Sequence, residues 1–190
     1  NHIEAAKKDN GDVVNDALLN EADHLLNTFN ALLRISRIET EKKREQFEAL
    51  ALKPLIDDVI AFYEPLAEIK HITISQQLQD AVCHADKDLL FQAYANILDN
   101  AIKFTPDYGH IAITMGIDGE HCIISIEDTG GGIAEHDIGN VFQRFYRGDA
   151  SRSSAGTGLG LSLVKAVFDL HHGQITLENT TQGLKFITKL

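Results

Sequence analysis

The segment from residue 89 to residue 104 constrains the fold more than any other part of the sequence. At about 100° per residue, apolar side chains cover most of the circumference of a helix here; they are Leu90, Phe91, Ala93, Tyr94, Ile97, Leu98, Ala101 and Ile102. Such a helix packs against other structure rather than lying in solvent. The remaining strip is polar and holds Gln92, Asn96, Asp99, Asn100 and Lys103. The pattern predicts a helix that is buried against a sheet and offers one polar stripe.

The polar stripe has two interpretations. The simpler one is a solvent-exposed face, which needs no ligand. In the second, the amide oxygens of Asn96 and Asn100 are hard, neutral ligands for Mg²⁺, an ion that keeps several waters and binds substrate phosphates. Lys103, one turn further on, would then neutralise phosphate charge. The second interpretation requires phosphate-binding elements elsewhere in the chain.

Two glycine-rich segments supply such elements. The first, residues 127–133, directly follows a predicted strand, and its three glycines allow a ligand to approach the backbone closely. Asp128 ends that strand, where its carboxylate can accept a hydrogen bond from an exocyclic amine such as the adenine N6. The second segment, residues 156–167, runs into a predicted helix whose N-terminal amides favour an anion. Neither segment matches the G-x-x-x-x-G-K-[ST] or G-x-G-x-x-G pattern.

The stretch between the two glycine segments, residues 142–154, has the composition of a lid. Its aromatic side chains could attach a mobile segment to the domain, and its arginines could reach phosphate; the residues are Phe142, Phe145, Tyr146, Arg144, Arg147 and Arg152. The alternative is a plain surface loop with scattered arginines.

The order of predicted elements indicates an α+β fold. Strands are expected at 47–52, 72–78, 110–117, 121–127, 174–179 and 184–189, and helices at 54–70, 86–104 and 159–170. Hairpins dominate the strand connections. We therefore expect a two-layer sandwich in which α-helices cover one face of a mixed β-sheet.

A long helix is expected before this domain. Between residues 13 and 40 apolar side chains recur in steps of four and three, as in a seam that packs against a partner helix; they are Leu18, Ala22, Leu25, Phe29 and Leu32. The helix could pack on its own domain, but its charged opposite face favours half of a helical hairpin that pairs with a second copy. A charged linker at 41–45 divides the chain into residues 1–45 and 46–190.

Composition narrows the classes of function. The formal net charge of −11 makes nucleic acid and anionic lipid poor partners. No apolar run approaches the roughly 20 residues of a membrane span, so we expect no membrane contact by this segment. Cys83 and Cys122 are in no metal-ligand spacing, and we expect reduced thiols in a cytoplasmic protein. The chain begins with Asn1, which suggests a piece of a longer protein.

In these motifs the chain resembles the catalytic half of a bacterial sensor histidine kinase, of the superfamily shared with gyrase, the heat-shock chaperone ATPases and the mismatch-repair ATPases. The family's boxes occur in order: an asparagine box at 96–106, a first glycine box at 128–132, a phenylalanine box at 142–146 and a second glycine box at 156–161. The resemblance implies a Bergerat ATP-binding fold over 46–190. It also implies that 1–45 is part of the dimerisation and histidine-phosphotransfer hairpin, with its first helix mostly missing.

The resemblance further implies roles for individual residues. Asn100 would bind Mg²⁺ with Asn96 beside it, Lys103 would face the phosphates of ATP, and these three residues would be catalytic. Phe104 would pack on the adenine, and Asp128 would hold its amino group. Further nucleotide contacts are expected at Gly130, Gly132, Ile133, Arg147, Gly148, Gly156, Thr157, Gly158, Leu159, Gly160 and Leu161.

One departure from the family pattern concerns the phosphoacceptor. In the family this histidine is followed by an acid and then by Arg or Lys, Ser or Thr, and Pro, and the sequence has no such segment. We expect His2, His24 and the pair at 171–172 to be structural, and the acceptor to lie upstream. The resemblance then implies transfer of the ATP γ-phosphoryl group to a histidine outside this chain, for relay to a response-regulator aspartate. It also implies a homodimer through the intact hairpin and a parent protein anchored in the bacterial inner membrane.

Two other functions stay open at this point. ATP-hydrolysing cousins carry Glu four residues before the metal-binding Asn, as a base for water; here that position is Asn96, which cannot take a proton. A water-directed ATPase of the same fold is the second hypothesis, and turnover without a histidine acceptor would favour it. The third is a non-catalytic, dimerising nucleotide-binding module. A broken nucleotide box would mark that module, and none of the boxes is broken.

Overall fold

A mixed β-sheet covered by helices forms the body of the computed structural model. The structure describes residues 47–148 and 157–190, together with positions 26, 28–30, 32, 33, 35, 36 and 38. In chain order from Leu52, the helices are α1 (Leu52–Ile69), α2 (Lys87–Phe104), the single-turn α3 (Glu135–Ile138) and α4 (Gly160–Leu170). α2 packs between α1 and α4, so the helix with the asparagine stripe lies at the centre of the helical layer.

The main sheet has the strand order β2-β4-β5-β7-β6. Its strands are β2 (Thr73–Leu78), β4 (His110–Asp118), β5 (His121–Asp128), β6 (Gln174–Asn179) and β7 (Leu184–Lys189). β2 runs parallel to β4, whereas the pairs β4–β5, β5–β7 and β6–β7 are antiparallel. The predicted α+β sandwich with a mixed sheet is confirmed.

α2 has the bounds that its local sequence dictates. Asp86 is the N-cap, and its Oδ1 accepts a hydrogen bond from the Leu89 N–H at 3.0 Å, which satisfies one of the orphan donors at the helix start. The helix ends at Phe104, because Thr105 precedes Pro106 and adopts extended backbone angles. The asparagine stripe is therefore held on a helix whose ends are both fixed.

The core lies between the helices and the inner face of the sheet. On β4 the buried side chains alternate as Ile111, Ile113 and Met115, as expected for a strand with one buried face. They pack with apolar residues of α2 and α4, listed as Leu90, Ala93, Tyr94, Ile97, Leu98, Ala101, Ile102, Leu163, Val164, Val167 and Phe168. Tyr94 is fully buried and its hydroxyl lies 3.0 Å from Thr188 Oγ1. α2 is thereby anchored to β7.

Two short elements were not expected from the sequence. β1 (Glu48–Ala51), which was predicted, pairs antiparallel with β3 (Val82–Ala85), which was not, in a separate two-stranded sheet. α3 falls in a segment for which we predicted neither a helix nor a strand. Each of the two missed elements is four residues long, too short for hydrophobic periodicity to show.

The described positions between 26 and 38 are helical. Ile35 is fully buried within the core, and Leu32 and Ile38 pack against it, while Leu26 and Phe29 are 59% and 58% exposed. This helix therefore both packs on its own domain and presents an apolar face. The seam residues Leu18, Ala22 and Leu25, the linker at 41–45, and the histidines at 2 and 24 lie outside the described residues, so the hairpin and the domain boundary stay predictions.

Candidate functional site

A cavity of about 490 Å³ opens between α2, the segment after β5, α3 and the start of α4. Most of the predicted site residues line it, namely Asn96, Asn100, Lys103, Phe104, Asp128, Gly132, Ile133, Arg147, Gly148, Thr157, Gly158, Gly160 and Leu161. Gly130 and Leu159 do not line the cavity, and Gly156 lies outside the described residues. Motifs that are up to 65 positions apart in sequence, from 96 to 161, thus meet at one place. The role of each residue toward a ligand remains a prediction.

The asparagine stripe of α2 forms one wall of the cavity. Asn96 and Asn100 are half-buried, and Asn96 Nδ2 donates a hydrogen bond to the Gln92 carbonyl oxygen at 2.8 Å. A Cβ added to Gly160, at the start of α4, would lie 2.8 Å from Asn96 Oδ1. Any side chain at residue 160 would therefore displace the Asn96 amide, which explains the glycine where the two helices approach each other.

Lys103 brings positive charge to the same wall. Burial lowers the pKa of its ammonium group, the carboxylate of Asp99 opposes that shift, and Arg147 reinforces it. The Lys103 Nζ lies 5.5 Å from the centroid of the Phe104 ring, within the range of a cation–π contact. Lys103 and Arg147 both line the cavity, so an otherwise acidic chain concentrates two cations where an anionic ligand would bind.

Asp128 is a buried carboxylate in the cavity wall. Only 3% of the residue is exposed, and its Oδ1 accepts hydrogen bonds from the Gly130 N–H at 2.8 Å and the Leu184 N–H at 3.3 Å. Burial raises the pKa of this carboxyl group, the two backbone hydrogen bonds oppose that rise, and the nearby Glu127 adds to it. Among the described residues both hydrogen bonds use Oδ1, which leaves Oδ2 as the acceptor for a ligand donor.

The first glycine segment owes its glycines to close packing. A Cβ on Gly130 would lie 2.8 Å from Asp128 Oδ1 and 2.8 Å from the Phe104 carbonyl oxygen, so only glycine fits between the end of α2 and this loop. Gly132 has a φ of +70°, a conformation that glycine adopts without strain. Gly130 therefore supports Asp128 from behind, and Gly132 lets Ile133 turn into the cavity wall.

The second glycine segment joins the start of α4 to the phenylalanine segment. The Phe145 N–H donates to the Gly158 carbonyl oxygen at 3.0 Å, and a Cβ on Gly158, whose φ is +70°, would lie 2.8 Å from the Phe145 carbonyl carbon. α4 starts at Gly160 without a side-chain cap among the described residues, and the first-turn amides of such a helix favour an anion. Leu159 is 1% exposed and its side chain packs in the core, so the nucleotide contact predicted for this residue would involve its backbone and stays a prediction.

Other cavity residues were not in the predicted set. Asp137 of α3 is 7% exposed, accepts a hydrogen bond from the Tyr146 hydroxyl, and has its Oδ2 2.7 Å from the place of a Cβ on Gly148. The remaining ones are Asp99, Gly131, Ala134, His136, Val141, Leu184 and Phe186. Alternation along the last strand puts Leu184 and Phe186 on one face, but nothing in the sequence showed that this face meets the cavity.

The chemistry of the wall limits how a metal could bind. Within the described ranges no group of three or more His, Cys, Asp or Glu side chains converges on one point. The amide oxygens of Asn96 and Asn100 are neutral and few, so they suit Mg²⁺ that is held mainly by ligand phosphates and water. Within the same ranges, no helix has the length and hydrophobicity of a membrane span.

Comparison with known proteins agrees with this geometry. Residues 85–190 match the family model described as histidine kinase-, DNA gyrase B-, and HSP90-like ATPase. The circadian input-output histidine kinase CikA of Synechococcus elongatus is 34% identical over 177 residues, which is 90% of this chain and 24% of CikA. The chain spans less than half the length of the curated relatives that it matches.

Two solved structures are similar to the chain. The histidine kinase AdeS of Acinetobacter baumannii aligns with a TM-score of 0.77 and 25% identity, over 94% of this chain and 83% of AdeS. Full-length ShkA in complex with AMPPNP aligns with a TM-score of 0.77 and 27% identity, over 91% of this chain and 37% of ShkA.

The mixed sheet, the asparagine helix and the two glycine segments define an ATP-binding domain of the Bergerat fold. The chain belongs to the family of histidine kinase-, DNA gyrase B- and HSP90-like ATPases, and its relatives place it with the catalytic domains of sensor histidine kinases.

Proposed function

We propose that this chain holds magnesium-bound ATP and transfers its γ-phosphoryl group to a histidine that lies outside the chain. One observation carries the proposal: a single cavity is lined by the side chains of Asn96, Asn100 and Lys103, by the buried Asp128 and by the start of α4. The cavity wall offers both a buried hydrogen-bond acceptor and two cations, as a ligand with a purine and a polyphosphate requires. Phosphoryl transfer needs mainly positioning and charge neutralisation.

The described residues divide these tasks. Asn100 and Asn96 would hold Mg²⁺, which when bound neutralises phosphate charge. Lys103 and the first-turn amides of α4 would bind the phosphate oxygens. Asp128 would accept a hydrogen bond from the adenine amino group and so set the orientation of the nucleotide. The chain then presents the γ-phosphate, and the attacking imidazole comes from another segment or molecule.

The residue at position 96 favours transfer over hydrolysis. An amide cannot remove a proton from water, and Asn96 is the residue that meets the start of α4. A water-directed enzyme would need a carboxylate at the γ-phosphate instead. Asp99 is the cavity carboxylate on the same helix, and burial raises its pKa while Lys103 lowers it. ATP turnover by the isolated chain that Asp99→Asn abolishes would support the hydrolytic alternative.

The partners and location of the parent protein follow from the same proposal. The relatives are sensor kinases of two-component systems, so a response regulator would receive the phosphoryl group. A second copy would join through the helical hairpin, of which the exposed Leu26 and Phe29 would form part. We propose a cytoplasmic position for this domain and an inner-membrane anchor elsewhere in the parent protein.

Calorimetric titration with ATP tests the nucleotide site. We expect binding in the presence of Mg²⁺ that weakens when the metal is chelated, because Asn100 would hold the metal and the metal would neutralise phosphate charge. In Asn100→Ala, most of the increase in ATP affinity that Mg²⁺ causes should disappear. No binding by the wild-type chain, or equal affinity with and without Mg²⁺ in both proteins, would refute the proposed site.

Labelled ATP tests the transfer step. The chain alone should not become stably phosphorylated, whereas a separately prepared dimerisation hairpin with an intact acceptor histidine should gain an acid-labile label when the chain is added. Asn96→Ala and Asn100→Ala should both reduce that label. An acid-labile label on His2 or His24 of the chain itself would overturn the placement of the acceptor outside it.

A further inference from the structure

The turn between β6 and β7 packs against the part of the cavity wall where Asp128 lies. A Cβ added to Gly183 would come within 2.2 Å of the Asp128 carbonyl oxygen and 2.7 Å of the Gly130 nitrogen. The next residue, Leu184, donates its N–H to Asp128 Oδ1 at 3.3 Å. This turn, residues 179–183, is therefore in direct contact with the backbone of Asp128, and the residue that follows it bonds to the carboxylate that we assign to the adenine.

Asn179 connects this turn to the first glycine segment. Its Nδ2 donates to the Ile133 carbonyl oxygen at 2.7 Å, and its Oδ1 accepts from the Ile133 N–H at 2.9 Å. One side-chain amide thus pairs with both backbone groups of one residue that is 46 positions away. A Cβ on Gly132 would lie 2.7 Å from Asn179 Oδ1, so the glycine before Ile133 makes room for this pairing.

The turn is itself held in one conformation. The Thr180 N–H donates to the Gly183 carbonyl oxygen at 2.8 Å. The Thr180 Oγ1 accepts from the backbone N–H of Gln182 at 3.2 Å and of Gly183 at 3.1 Å. Asn179 therefore precedes a turn of fixed conformation, and its two hydrogen bonds hold Ile133 in a fixed position relative to that turn.

We propose that Asn179 is a positioning residue for adenine recognition. It acts through Ile133, which lines the cavity, by holding this end of the first glycine segment at a fixed distance from Asp128 at the other end. The inference rests on the proposed nucleotide site and adds a residue to it from the C-terminal hairpin. Asparagine suits this role because it supplies a donor and an acceptor from one rigid amide, whereas aspartate supplies acceptors only.

The magnitude of the effect follows from the two bonds. When the two hydrogen bonds are absent, the binding of the nucleotide must itself order the loop, and that ordering lowers the affinity. Asn179→Ala should therefore weaken nucleotide binding by about threefold to a hundredfold. Asn179→Asp should weaken it at least as much, because it sets a carboxylate oxygen against the Ile133 carbonyl oxygen.

The experiment is a calorimetric titration of the full chain with ATP and with adenosine. Wild type is compared with Asn179→Ala and Asn179→Asp, and Gln182→Ala is the matched control, because it keeps the backbone N–H that Gln182 gives to the turn. We expect both Asn179 variants to lose the same factor for ATP and for adenosine, since the change acts at the adenine end. The control should bind both ligands within about twofold of wild type.

A purely structural role gives a different result. If Asn179→Ala lowers the thermal midpoint but keeps its adenosine affinity, or if it weakens ATP alone, the proposal is wrong although the nucleotide site stands. If wild type binds neither ligand, the proposed function fails and this inference falls with it. Should the variants not fold, hydrogen exchange of wild type decides the matter: exchange of the Ile133 amide at the rate of an unbonded amide would contradict the proposal.

Discussion

At the scale of single residues, Asp128 shows what a sequence can and cannot reveal. Its place at the end of a strand and before three glycines identified it as a ligand-binding candidate. Its surroundings were not predictable, because Leu184, which donates to Asp128 Oδ1, is 56 positions away. The reason for a glycine at position 160 was not predictable either, because it depends on the Asn96 amide that packs against this position.

Asp128→Ala tests the role of this carboxylate. The change removes a charge-assisted hydrogen bond to the adenine amino group, a loss of about 1.5–3 kcal/mol, so ATP and adenosine should bind roughly tenfold to a hundredfold more weakly. Calorimetry provides the measurement. Glu127→Gln is the control, because Glu127 instead faces Lys185, with 3.7 Å between Glu127 Oε2 and Lys185 Nζ. Unchanged nucleotide affinity in Asp128→Ala would remove this residue from the site.

At the scale of secondary-structure elements, predictability followed length and local chemistry. α2, β6 and β7 occur at the predicted positions because periodicity, the Asp86 cap and the closing hairpin are signals contained in neighbouring residues. β3 and α3 have four residues each and are set by tertiary contacts instead: β3 exists as the partner of β1. The long elements were therefore predictable from neighbouring residues, whereas α3, which contributes His136 and Asp137 to the cavity wall, was not.

The C-terminal end of α2 depends on a cation from another helix. Lys70, just after α1, donates from its Nζ to the carbonyl oxygens of Ile102 at 2.8 Å and Lys103 at 3.2 Å, and also to that of Thr105. These carbonyls lack partners within the helix, and a positive charge there is favoured by the helix dipole. Lys70 thus fixes the turn from which the Lys103 and Phe104 side chains reach the cavity.

Lys70→Met should reveal this contribution in urea denaturation. We expect the free energy of unfolding to fall by about 1–2 kcal/mol, since three carbonyls lose a charged donor, and Lys70→Arg to recover part of it. Lys53→Met is the matched control: Lys53 and Asp80 form an exposed pair at 3.8 Å, which should contribute less than about 0.5 kcal/mol. Equal losses in the two methionine variants would show that Lys70 is an ordinary surface lysine.

At the scale of the whole molecule, the cavity exists because distant segments are brought together by the sheet order. The sequence could predict hairpins but not that β7 would insert between β5 and β6, which is what carries the turn at 179–183 to Asp128. A comparable long-range link joins the two cavity helices. The His171 Nε2 accepts from the Asp86 N–H at 3.1 Å, its Nδ1 lies 2.8 Å from the Val167 carbonyl oxygen, and its ring stacks on Phe47 at 4.4 Å between centroids.

This link requires a neutral imidazole, because a protonated ring would present an N–H to the Asp86 N–H. Burial lowers the pKa of His171; the Val167 hydrogen bond and Asp86 oppose that shift, and His172 adds to it. The unfolded chain, with an ordinary histidine pKa of about 6.5, therefore binds the proton more readily than the folded one. The stabilisation by His171 is complete above that pH and is lost as the pH falls through about 6.5 toward the lower folded value.

Urea denaturation across this pH range makes the effect measurable. The difference in unfolding free energy between wild type and His171→Gln, which cannot titrate, should shrink as the pH falls from about 7.5 to about 5.5. Gln182→Ala is the control, because it removes no titratable group, and its difference in unfolding free energy from wild type should stay constant over the same pH range. Parallel pH curves for wild type and His171→Gln would mean that the ring is not held neutral, and that the start of α2 and the end of α4 are joined by packing alone.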